Sequence, residues 1–136
     1  MKLYKFEVES FIAFLDSLKL DHRATRMRTR FKKMLEEKYH YFLEEINEIN
    51  NNYAVKDDEG NYLLKEERLV FRDNEQRLQE LYELANEVIV IEENEENVIV
   101  LQTVKESVLN CADTLFEGKD ADRYDRFCEI VEQIKS

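Results

Sequence analysis

Few residue types in this chain are equipped for chemistry, and their spacing narrows the choice further. His22 and His40 stand eighteen positions apart, and neither belongs to an HExxH arrangement. Cys111 and Cys128 are seventeen apart with no second pair, which argues against zinc. Both thiols sit among apolar residues at helical spacing and are expected in the core. Glu36, Glu37, Glu44, Glu45 and Glu48 cluster as the acids of a bundle metal site do, but no Glu-x-x-His accompanies them. The four serines, Ser10, Ser17, Ser107 and Ser136, lack a GxSxG elbow. Gly60 and Gly118 are the only glycines, too few for a phosphate-cradling loop. No catalytic residue, metal ligand or cofactor site is therefore expected, and most enzyme classes are disfavoured.

What remains is HRATRMRTRFKK, residues 22–33. It holds Arg23, Arg26, Arg28, Arg30, Lys32 and Lys33, six cations in twelve positions. On a helix, Arg23, Arg26, Arg30 and Lys33 fall within about 80° of one another, while Arg28 and Lys32 flank the other side. Guanidinium forks suit carboxylates and phosphates, so the stretch is a candidate partner- or anion-binding surface. Internal neutralisation competes with that reading. Glu36 and Glu37 are within reach of Arg30, Lys32 and Lys33 along the helix, and a second protomer offers further acids. The net charge of −11 is uneven, +4 over residues 1–40 and −15 over 41–136. Such a chain repels a polyanion beyond its basic patch, which disfavours nucleic acid. A small anion or an acidic protein surface fits better.

These residues need elements to position them. A chain without proline and with two glycines has few helix breakers. The alternation in KLYKFEV predicts an edge strand over 2–7. Val8, Phe11, Ile12, Leu15 and Leu18 predict a short helix over 8–19. Met27, Phe31, Leu35, Phe42, Ile46, Ile49 and Tyr53 then repeat at steps of three and four. They predict one long helix over 21–53, roughly 45 Å in length, with a coiled-coil-like seam. One small core is too short to cover it, so Phe42, Ile46 and Ile49 are expected at an oligomer interface. Asp58-Glu59-Gly60-Asn61 is turn chemistry joining 53–57 to 62–65 in a hairpin, with RLVF (68–71) as a further strand. Asp73 and Gln76 suggest a capping box opening a helix over 74–86. VIVIEE (88–93) reads as a strand. Leu101, Val104, Val108, Ala112 and Leu115 form another helical stripe, and Tyr124, Phe127, Cys128, Val131 and Ile134 a last one, entered near Asp120. The fold class is α+β and mostly helical: the long helix in a helical hairpin or bundle, a small antiparallel β-hairpin or sheet, and a single domain over 1–136.

No apolar run reaches the roughly 20 residues of a membrane span. MKLYKFEVES carries charges where a leader's apolar region would stand, so a cytoplasmic protein is expected.

Three blocks in this order, LKLDHRATRMRTRFKKMLEEKY, YAVKDDEGNY and FEGKDADRYDRF, give the chain a resemblance over nearly its whole length. It resembles a family of uncharacterised small acidic proteins from tailed phages and prophages of Gram-positive bacteria. Ala24, Thr25, Arg26, Arg28, Thr29 and Arg30 match the family's basic segment, and Glu59, Gly60 and Asn61 its turn. The resemblance implies a phage-encoded accessory protein in the host cytoplasm and brings no catalytic residues. The expected function is non-enzymatic: binding to itself as a homo-oligomer and to a phage or host protein. The alternative is a sponge for a small anionic or nucleotide ligand, held by the arginine stretch in counter-defence.

Overall fold

The computed structural model describes residues 1–111 and 115–135. In chain order the elements are β1 (Lys2–Tyr4), a 3-10 turn (Lys5–Glu7), α1 (Val8–Ser17), α2 (His22–Tyr53), β2 (Leu64–Lys65), β3 (Arg68–Leu69), α3 (Asn74–Ala85), β4 (Val88–Val90), α4 (Val98–Leu109) and α5 (Lys119–Glu132). The protein is α+β and mostly helical, organised around α2, against which α1, α3 and α4 pack.

The long helix forms where the apolar period places it. Asp21 caps it, its carboxylate accepting from the Ala24 amide at 2.8 Å. Met27, Phe31 and Leu35 turn inward, and Phe31 and Leu35 are fully buried. The core they enter is strongly aromatic. Phe11 meets Phe31 edge-on at 6.0 Å and stacks on Phe127 at 5.0 Å, joining α1, α2 and α5. Leu101, Val104 and Val108 of α4 and Ile130 and Val131 of α5 complete it, with Ile134 buried just past the end of α5.

Beside the helices β1 pairs antiparallel with β4, Leu3 opposite Ile89, and the ladder extends to Ile91, whose amide donates to the Met1 carbonyl. Leu3 and Ile89 face the core, and Tyr4, Val88 and Val90 face outward. The outer edge of β1 is occupied by a side chain. Gln133 accepts from the Lys2 amide at 3.0 Å and donates to the Lys2 carbonyl at 2.8 Å, as a neighbouring strand's peptide group would.

Several boundaries depart from the sequence pattern. The expected strand over 2–7 stops at Tyr4 because Glu7 accepts from the Tyr4 amide and winds the chain into a 3-10 turn. The first helix ends at Ser17, and Leu18 is extended. The capping box at Asp73 and Gln76 does not form. Asp73 is left-handed (φ 44°), so its carboxylate turns from the helix and meets Arg72 at 3.2 Å. Leu115 is not part of the α4 stripe; that helix ends at Leu109, and Leu115 is 96% exposed. Ala112, the stripe's other expected member, lies outside the described residues. The hairpin is present in a more folded form. Lys56 bridges to Tyr62, Ala54 bridges to Phe71, and β2 pairs with β3, so the segment 54–57 is bonded to both arms. Gly60 takes the positive φ (84°) that the turn needs.

The length of α2 is accommodated within one chain. Arg77 of α3 bonds Asn50 at 2.8 Å and lies over the Phe71 ring at 3.8 Å, while Arg72 reaches the Asn52 carbonyl. With α3 and the hairpin laid along the end of α2, Phe42 is only 8% exposed and Ile46 and Ile49 are half-buried. The apolar seam of that half is thus already largely covered.

Candidate binding surface

The six cations of residues 22–33 separate into two sets according to the side of α2 they occupy. Arg28 and Lys32 point to α1. The Arg28 guanidinium donates to the Leu15 carbonyl at 2.9 Å and to that of Leu18. The end of α1 leaves the Leu18 carbonyl without a helical partner and gives that of Leu15 only a long bond, 3.3 Å, from the Leu18 amide, so the cation covers the helix end in place of a glycine cap. Lys32 pairs with Asp16 at 2.6 Å. Both side chains are half-buried and serve the packing of α1 on α2.

Arg23, Arg26, Arg30 and Lys33 are all exposed. Among the described residues none of them has an ion-pair partner; the closest polar contact of Arg30 is the Met27 sulfur at 4.0 Å. The anticipated pairing with Glu36 and Glu37 is absent among the described residues, both acids lying exposed on the same helix. Lys32 is drawn to Asp16 because α1 brings that carboxylate closer than the next turn of its own helix does. Four cations therefore share one solvent face, held by an N-capped helix whose opposite face is locked in the core.

The grooves beside this face are mixed in charge. One of about 540 Å³ between the start of α2 and α4 is lined by Lys19 and Arg23 but also by Asp21 and Glu106. Another of about 410 Å³ lies between α2 and the end of β4, lined by Lys38 together with Glu37 and Glu92. Neither wall gathers cations alone, as a pocket for a small polyanion requires.

Away from α2 the most buried charged group is Glu7. The ion pair that joins the 3-10 turn to α5 was not legible from the sequence, since its partners are 119 positions apart. Glu7 accepts from Arg126 through both oxygens, at 2.7 and 3.0 Å. Burial raises the Glu7 pKa, but the Arg126 hydrogen bonds, the Tyr4 amide and the Arg126 charge outweigh it, leaving the carboxyl below its ordinary value. Burial pushes the Cys128 thiol up, away from thiolate reactivity. Burial likewise raises the Tyr124 phenol, which donates to the Val108 carbonyl at 2.8 Å. Both cysteines are half-buried and free, packed against the core. Among the described residues no three His, Cys, Asp or Glu side chains converge as a metal site needs, and no helix is long and apolar enough to cross a membrane.

Comparisons with protein-family models, with curated proteins and with solved structures return no match.

Proposed function

We propose that this protein acts by binding rather than by catalysis, and that its contact surface is the cationic face of α2 formed by Arg23, Arg26, Arg30 and Lys33. The counterpart is an acidic protein surface. One observation carries the reading: neighbouring cations of the same segment are used inside the fold, while these four are exposed with no ion-pair partner among the described residues. A guanidinium-rich face with about 80° of spread presents parallel forks to carboxylates. The biological setting we propose is that of the resemblance, an accessory protein of a tailed phage or prophage working in the host cytoplasm as a homo-oligomer. The mixed charge of the adjoining grooves favours a protein surface over a small anionic ligand.

The test uses poly-L-glutamate as the acidic probe. Changing Arg23, Arg26, Arg30 and Lys33 to Gln keeps helix propensity, so stability should move by no more than about 1 kcal/mol. Binding should weaken by at least about tenfold, and its salt dependence should flatten. Equal binding by wild type and the quadruple variant would overturn the assignment of this face.

A further inference from the structure

The cationic face does not end at Lys33. Arg23, Arg26, Arg30 and Lys33 are continued along α2 by Glu37, Tyr41, Glu44 and Glu48, always at steps of three or four. At 100° per residue all eight fall within the same arc of about 80°, a single stripe roughly 37 Å long. All eight are exposed, Tyr41 by 56%. Among the described residues Glu37 and Glu48 have no ion-pair partner, and Glu44 meets only His40, at 3.0 Å.

The order of charge along the stripe is the informative feature. Its first half is wholly cationic, and its second half is acidic except for Tyr41. A half-turn about an axis crossing α2 between Leu35 and Glu36 exchanges the halves. It sets Arg23 against Glu48, Arg26 against Glu44 and Lys33 against Glu37, and it lays the Arg30 guanidinium against the Tyr41 ring. Each of these meetings occurs twice, once on either side of the axis, as an isologous contact requires. A parallel arrangement instead sets cation on cation and acid on acid, so the stripe specifies orientation as well as partner.

We propose that the occupant of this face is α2 of a second copy of the chain, lying antiparallel in a two-fold symmetric dimer. This rests on the reading of the cationic face as a binding surface and names what binds there. The contact is on the opposite side of α2 from Phe42, Ile46 and Ile49, which are already buried or half-buried within the chain. Tyr41 and the aliphatic stems of the charged residues supply its apolar part, with arginine–tyrosine stacking at two points. Its attraction is otherwise electrostatic, and so it is sensitive to salt.

Charge exchange tests it. By analytical ultracentrifugation at about 20 mM NaCl the wild type should sediment at twice its 16.4 kDa mass, and about 500 mM NaCl should weaken association by at least tenfold. A copy carrying Arg23→Glu with Arg26→Glu should be monomeric, as should a copy carrying Glu44→Arg with Glu48→Arg. Mixed in equal amounts, the two should dimerise, because each reversed residue then meets its complement. Melting curves confirm that both variants are folded. A monomeric wild type at low salt, persistent dimerisation of either variant alone, or a mixture that stays monomeric would each overturn the proposal. The Glu44→Arg, Glu48→Arg copy keeps all four cations, which separates this outcome from the broader one. Loss of its dimer with poly-L-glutamate binding retained supports both readings. A monomeric wild type whose binding to the probe depends on the four cations removes only the self-association, and failure of this variant to bind the probe removes the binding surface.

Discussion

Glu7→Gln isolates the ion pair that ties the first residues of the chain to its last helix. Glu7 is only 7% exposed, and its two oxygens collect two bonds from Arg126 and one from the Tyr4 amide. Breaking a buried pair from one side typically costs about 3–5 kcal/mol, because the remaining charge is left desolvated. Here Arg126 keeps Glu129 at 3.3 Å and part of its hydration, and the glutamine amide oxygen can still accept one bond. The expected loss is therefore smaller, about 2 kcal/mol, or roughly 6–10 °C in melting temperature for a chain of this size. The effect has a pH signature. The folded Glu7 carboxyl lies below its ordinary value of 4.5, so its contribution is fully present above that value. It is lost as pH falls through the lower folded value, where wild type becomes protonated as well and resembles the amide. Thermal melts of wild type and Glu7→Gln should thus stand apart at neutral pH and converge in acid. A variant melting within about 2 °C of wild type at pH 7, or a gap undiminished toward about pH 2, would show that the Glu7–Arg126 pair does not carry this stability.

Two further substitutions examine how the long helix is held. Arg28→Gln removes the guanidinium that covers the end of α1 and should cost about 1–2 kcal/mol, whereas Arg26→Gln, exposed on the same helix, should change the chemical-denaturation midpoint little; equal effects would contradict the division of the cations into two sets. Phe42→Glu places a carboxylate in a site already covered by the chain itself, and should destabilise the fold by about 3 kcal/mol or more. A Phe42→Glu protein that melts like wild type but loses oligomer mass would return Phe42 to an intermolecular contact.

The long helix was legible because thirty residues of apolar period, an aspartate at its start and no breaker inside all give one answer. The strand pairing was less so. VIVI advertises a strand, but nothing local tells it that residues 2–4 are its partner. The capping box failed for a related reason: Asp73 and Gln76 have the right spacing, yet the chain leaving the hairpin enters α3 with Asp73 left-handed, and that backbone aims the carboxylate elsewhere. The candidate surface was half legible. A helical wheel separates Arg28 and Lys32 from the other four cations, but only the position of α1 decides which set is consumed. Conversely, Glu37, Glu44 and Glu48 read locally as a solvated acidic cluster. Their relation to the arginines emerges when the exposed arc of α2 is followed past Lys33 to Tyr41, which breaks the apparent boundary between a basic and an acidic segment.

The pairing of β1 with β4 also sets a clock on the making of the protein. Lys2 to Tyr4 wait for residues 88–90, Glu7 waits for Arg126, and the edge of β1 is closed by Gln133. At about 5–20 residues per second of synthesis, the first strand spends several seconds without its partner and without the side chain that shields its edge. Helix α2 can wind as soon as it emerges, but the sheet forms across a long loop and so comes late. The nascent chain therefore carries a basic helix beside a strand still waiting for its partner, and the sheet closes only when residues 88–90 and Gln133 arrive.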